Sequence, residues 1–274
     1  MIGAGFLILV LGLGALSLAL ALWLWLRLEA PASGHRPLLI AALLLLLPLR
    51  AWLHTGLFIG AHDAMHGSLF PLQRHWNRMA GSLLLLLYAG LPYRRCCRLH
   101  RRHHRHCGQA GDPDHWPEPG AGRSPVKCLV PFRSLHWYAS FMGRYLGRAQ
   151  LIGIALFYGA VAAVLWHWTP LGPVGSLLAP LSHWLLPLVL SSAQLFVVGT
   201  YLPHRRSPVV ASLNWPGWLS LLACYHFGHH RAHHEQPWLP WYALPATDRS
   251  TAINNEMFLA LPTRSRLPGP LSIK

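Results

Sequence analysis

Residues 5–26 of this chain are an almost unbroken run of apolar side chains, and residues 38–60 are a second run, broken by Pro48, Arg50 and His54. A run of about 20 apolar residues is what an α-helix needs to cross a hydrocarbon layer roughly 30 Å thick. Segments 149–168 and 181–202 reach the same length. Only 11% of the 274 residues are charged, against 53% hydrophobic, and that charged share is less than half of an ordinary soluble domain's. The first run is not a signal peptide: it lacks a basic start, it is too long, and Trp23 and Trp25 stand where interfacial anchors belong. The expectation is an all-α integral membrane protein with four transmembrane helices plus interfacial helices.

A shorter apolar stretch, residues 80–91, spans only about 18 Å as helix and predicts an interfacial or re-entrant segment. Arg74 and Arg78 precede it and Arg94, Arg95, Arg98, Arg101 and Arg102 follow it, so a crossing would strand one cluster outside. The linker from Thr169 to Trp184 carries no Lys or Arg, whereas Arg205 and Arg206 follow the last run. The positive-inside rule then makes that linker external and both chain ends cytosolic. Residues 125–148 interleave Trp137, Tyr138, Phe141 and Tyr145 with Lys127, Arg133, Arg144 and Arg148, the pattern of an amphipathic helix lying in the interface. Beyond Pro237 the sequence is weakly periodic and predicts poor order, with one membrane-embedded domain over 1–245 and a tail over 246–274.

The formal charge of +15 does not point to nucleic acid, because there is no basic soluble domain to dock on. Basic residues gather beside the apolar runs, where each gains roughly 1 kcal/mol from anionic membrane lipids. Five cysteines with no CxxC pair form neither a disulfide framework nor a structural zinc site, and a reducing cytosolic face is the simpler reading.

Histidine is the anomaly. His62 and His66 are four apart, one turn above each other on a helix. His100, His103 and His104, with His106 extra, repeat the three–four spacing. "HFGHHRAHHEQP" (226–237) contains HxxHH twice, as His226/His229/His230 and as His230/His233/His234, and spacing alone leaves the register open. All three clusters fall at the cytosolic edge of the topology above. Packed imidazoles repel one another on protonation, and a shared metal removes the problem because a ligating imidazole is neutral. One zinc needs three or four ligands, so this many imidazoles argue for two metals; imidazole suits iron, zinc and copper alike. Acidic residues are scarce, and Asp63, Asp112, Asp114 and Glu235 are placed to accept the second ring N–H of metal-bound histidines.

HxxxH, HxxHH and HxxHH in that order, on four spans, resemble the membrane fatty-acid desaturase and hydroxylase superfamily. "GLFIGAHDAMHGSLFP", "YAGLPY", "DPDHW", "LFVVGTYLPHR" and "CYHFGHHRAHHEQPWLPWYALP" more closely resemble the β-carotene ketolases. The resemblance covers residues 50–245. It departs around "RLHRRHHRHCG", which is Arg- and Cys-rich where that family tends to small or polar residues.

The resemblance implies that the third box is His230, His233 and His234, since a proline three residues on is usual and Pro237 supplies it. It also implies that His204 adds a lone ligand. The metal-ligand set is then His62, His66, His100, His103, His104, His204, His230, His233 and His234, with His226 a near neighbour one turn before His230 and His229 in a polar network. It further implies a cytosolic di-iron centre, which zinc can replace in overexpressed protein, using O2 and electrons from reduced ferredoxin or a similar soluble donor. The implied substrate is a carotenoid drawn from a bacterial inner or photosynthetic membrane, oxidised at the C4 methylene of its β-ionone ring. A carotenoid 3-hydroxylase or lipid desaturase would use the same scaffold. A histidine-rich metal transporter would instead need ionisable residues facing one another within the spans, and only Arg50, His54 and a few residues at the span ends qualify.

Overall fold

A computed structural model describes residues 2–30, 35–109, 111–115, 130–205 and 210–248, without the side chains of 130–133. Helix is the only regular structure among them. Four helices are long and apolar enough to cross a membrane: α1 (Ile2–Glu29), α2 (Arg36–His66), α6 (Arg148–Trp168) and α7 (Gly172–His204). Between them lie α3 (Arg74–Ala89), α4 (Tyr93–His106) and α5 (Val130–Tyr145), and after them the short α8 (Gly217–Cys224) and α9 (His230–Glu235).

Large apolar residues such as Ile8, Leu16, Leu45, Leu156 and Trp166 point outward from the spans. A belt of that size belongs against hydrocarbon. At 31 residues, α2 is about 46 Å long, which exceeds the bilayer core and carries its last turns beyond it. Gly67, at φ 79°, stops α2 directly after His66, and its N–H donates to the Ala64 carbonyl. Gly56 of α2 allows close approach: a Cβ there would lie 2.6 Å from the Tyr225 hydroxyl. Tyr225 stacks on Trp52 at 4.4 Å and donates to the Trp52 carbonyl, which anchors the segment after α8 to the second span.

Three elements differ from the sequence expectation. The helix expected at 80–91 starts at Arg74, because Asn77 bridges the preceding turn by accepting from the Phe70 N–H and donating to the Phe70 and Gln73 carbonyls. The last span starts at Gly172 rather than 181. Pro180 does not end it; the helix runs on from Pro180 through a π turn at Leu181–Leu185. Poor order does not set in after Pro237. Trp241 packs on Phe6 and Tyr225, and Asp248 is buried. Residues 125–129 of the expected interfacial helix and 249–274 of the expected tail lie outside the described residues.

Candidate metal centre

Two crossings that run in the same direction bring their C-terminal ends together. These are α2, which ends on His62 and His66, and α7, which ends on His204. Between them α4 turns His100, His103 and His104 inward and leaves Arg94, Arg98, Arg101, Arg102 and Arg105 outside. The short α9 contributes His230, His233 and His234. Phe227 fills the space beneath, 4.8 Å from the His62 ring and 5.1 Å from that of His230. It fits because Gly199 has no Cβ, which would come within 2.3 Å of the Phe227 ring.

Seven of the nine imidazoles meet nitrogen to nitrogen, and His62 and His204 stand ring to ring against them. His66 Nε2 lies 2.7 Å from His100 Nε2, and His104 Nε2 lies 3.1 Å from His100 Nε2 and 3.0 Å from His233 Nε2. His234 Nε2 lies 3.1 Å from the Nε2 atoms of both His103 and His230. Buried His62 Nε2, His204 Nε2 and His230 Nδ1 have no hydrogen-bond partner. A neutral imidazole has one N–H to give, so a cage of nitrogens aimed at each other is unsatisfied as protein alone. Cations at its centre would satisfy it, and two groups have the donors that could hold one each. His62, His66, His100 and His233 form the first; His103, His204, His234 and Cys107 form the second, and in each group the donor atoms all lie within 4.8 Å of one another. His104 joins the first through His100 and His233, and His230 joins the second through His234.

Carboxylates stand behind these rings. Asp112 Oδ1 accepts from His103 Nδ1 at 2.9 Å, and Asp114 Oδ2 is 3.8 Å from the same nitrogen. That fixes Nδ1 as the protonated nitrogen and turns Nε2 toward the cage. Asp112 also accepts the Gly108 and Asp114 N–H groups, and Tyr145 donates to Asp114 at 2.8 Å. Burial alone would lower the His103 pKa, but Asp114 and Asp112 outweigh it and hold His103 above the ordinary value. Burial opposes the charge on Asp112 too, yet His103 and two backbone N–H groups hold its carboxyl below the usual range. His100, His230, His233 and His234 are held far down by burial and by one another, and burial with neighbouring imidazoles takes His104 down to about 3. Neutral rings of this kind are what a metal requires. Asp63 sits 3.9 Å from His62 Nδ1 and accepts the Trp241 N–H at 3.1 Å.

A cavity of about 230 Å³ opens onto the cage, with His62, His100, His103 and His230 at one end and mainly apolar walls that include Phe58, Phe141 and Leu188. A largely apolar ligand can therefore reach the metal positions.

Two expected neighbours are not where the sequence put them. His226 is not one turn before His230 on a helix: at φ 61° it lies in the turn ahead of α9 and stacks on Trp241 at 5.9 Å. Glu235 backs no histidine; it is exposed at the end of α9, 3.9 Å from Arg231. His229 lies outside the cage and pairs with Asp248 at 2.8 Å. Sequence reasoning missed Cys107, Tyr145 and Asp248. The spacing of four between His103 and Cys107 was the available signal for the first.

Residues 36–252 match the family model described as fatty acid desaturase. A β-carotene ketolase of a Paracoccus species is 38% identical over 226 residues, covering 79% of this chain and 81% of that protein. A β-carotene ketolase of a second Paracoccus strain is 37% identical over 209 residues, 73% of this chain and 76% of that protein. A zeaxanthin 4-ketolase of Chlamydomonas reinhardtii is 33% identical over 207 residues, 71% of this chain and 41% of that protein. No solved structure matches the chain significantly.

Proposed function

The chain belongs to the fatty acid desaturase family and, within it, to the β-carotene ketolases, and on that premise we propose that it oxidises the C4 methylene of a carotenoid β-ionone ring to a ketone at a di-iron centre. The observation that carries this reading is the cage itself: nine imidazoles converge at the mouth of an apolar cavity with nitrogens that no protein group satisfies. No side chain abstracts hydrogen from such a methylene, and two irons held by the nine histidines would supply the O2 chemistry.

Two rounds complete the conversion. Each uses one O2, two electrons and two protons, inserts one oxygen at C4 and releases one water; the resulting geminal diol then loses a further water. The protein's own part is positional. Phe58, Phe141 and Leu188 hold an apolar ring and exclude water, while Asp112 keeps the His103 proton on Nδ1. Ser192 and Tyr138, hydrogen-bonded to each other at 2.5 Å, give the cavity wall a polar point.

The absence of Lys and Arg between Thr169 and Trp184, set against the arginines of α4, supports a cytosolic histidine-bearing end. There a soluble carrier such as ferredoxin delivers electrons and the carotenoid enters from the bilayer. Expression in a host that accumulates β-carotene, followed by pigment separation, tests the proposal. The expected products are the mono- and diketone, echinenone and canthaxanthin; 3-hydroxylated pigment or unchanged carotene contradicts it.

A further inference from the structure

We propose that Thr200 holds the half-oxidised ring for its second round, by hydrogen-bonding the hydroxyl that the first round leaves at C4. This rests on the ketolase reading above and deepens it, from the reaction as a whole to the residue that lets it run past the alcohol.

Besides the cage histidines, six side chains with an oxygen line the cavity. Five of them are engaged within the protein. Tyr145 donates to Asp114, and Tyr88 accepts from Ser191 at 3.5 Å. Ser192 donates to the Val189 carbonyl, so its 2.5 Å bond with Tyr138 uses the phenol proton. The sixth is Thr200, whose hydroxyl has no hydrogen-bond partner among the described residues.

A helical threonine commonly bonds the carbonyl four residues back, as Thr55 does to Ala51 and Thr169 to Leu165. Thr200 stands instead in the π turn Val197–Tyr201 and makes no such bond. It is 5% exposed. It precedes His204 by one turn, about 6 Å along the axis of α7, whereas Ser192 is about 18 Å away on the same helix. Of the two, only Thr200 is within reach of a ring whose C4 lies at the cage.

The chemistry gives this hydroxyl a task. The first round replaces the C4 hydrogen that faces the cage by a hydroxyl, and the remaining C4 hydrogen points away. The second round needs that hydrogen turned to the cage, so the new hydroxyl must swing toward a mainly apolar wall. A hydroxyl moved there without a partner is disfavoured, and Thr200 supplies the partner. The unoxidised ring carries no oxygen and makes no such bond, so the contact favours the second round over the first.

Expression of Thr200→Val in a host that accumulates β-carotene, followed by pigment separation, reads the ratio of 4-hydroxy to 4-keto rings. Valine keeps the shape and removes the hydroxyl; the ratio should rise about ten-fold, and Thr200→Ser should bring it back toward the wild-type value. An unchanged ratio in Thr200→Val, or an equal rise in Thr200→Ser, overturns the inference and leaves the ketolase reading standing. A wild type that forms neither pigment overturns both. A binding measurement on the purified full-length wild type covers the case in which the variant does not fold. Followed by polyene absorption in detergent, 4-hydroxy-β-carotene should bind about ten-fold more tightly than β-carotene, and equal affinities overturn the inference.

Discussion

Two regions of this molecule hold ionisable side chains away from water, and they are built in opposite ways. Within the spans, Arg50 is 2% exposed and donates to the Gly14 carbonyl, the Ser17 hydroxyl and the His183 carbonyl at 2.9–3.1 Å. Its charge joins α1, α2 and α7 with partners that the protein itself provides. At the ends of α2 and α7, the imidazoles instead face each other, and three buried ring nitrogens have no protein partner. The Arg50 guanidinium closes on protein acceptors as a structural joint, although His54 Nε2 and His183 Nδ1 near it also lack partners; what sets the helix ends apart is that many imidazoles converge on shared points. The comparison also weighs against metal transport, since Arg50, buried midway along α2, is engaged in joining helices.

The largest effect should come from emptying either half of the cage. His233→Ala removes a donor from the first group and His234→Ala one from the second, and each should lower ketone formation to below about a thousandth. Pigment yield beside metal content checks this; full turnover in either variant breaks the contrast.

Next in size is the response to pH, which should separate the two groups. His103 is held above the ordinary imidazole value near 6.5 by Asp114 and Asp112, which overcome its burial, whereas His100 and His233 of the first group are held well below it. The His103 proton stabilises the metal-free fold below that ordinary value, and the contribution fades as pH rises through the raised one. A metal must displace that proton, so the second metal should tighten up to about ten-fold per pH unit across that window while the first changes little. Stepwise metal titration at several pH values measures both; parallel slopes contradict the assignment.

Arg50→Met should cost about 2 kcal/mol of stability, from lost charge-assisted hydrogen bonds, while metal content is unchanged. Thermal denaturation and metal analysis on one preparation decide it, and loss of metal would merge the regions that the account keeps apart. The smallest effect belongs to His229→Ala. It breaks the Asp248 pair, but Arg231 still reaches Asp248 at 3.1 Å, so about 1 kcal/mol is expected with metals and ketone formation retained. A dead enzyme would return the register to His226, His229 and His230.

How much of this was readable in sequence differed between the two regions. The spans were legible because apolar runs of fixed length have one solution in lipid, although Pro180 hid the true start of α7 behind a π turn. The histidine spacings on α2 and α4 were legible because i, i+3 and i+4 define a helix face. The register around His230 was not, since a periodic run of histidines carries two frames; the turn at Tyr225 and His226, with φ 48° and 61°, is what ends the upstream frame. Glu235 was misread because a short helix exposes its last residue, and spacing says nothing of where the chain goes next. Asp248 and Trp241 were missed because they reach His229 and Asp63 through contacts distant in sequence.

The most direct test of the central claim is to count and place the metals. Elemental analysis of protein expressed in iron-replete cells, with anomalous scattering to locate the ions, should give two per chain. One should lie among His62, His66, His100 and His233 and the other among His103, His204 and His234. A single ion per chain, or ions bound away from these nitrogens, would contradict the account.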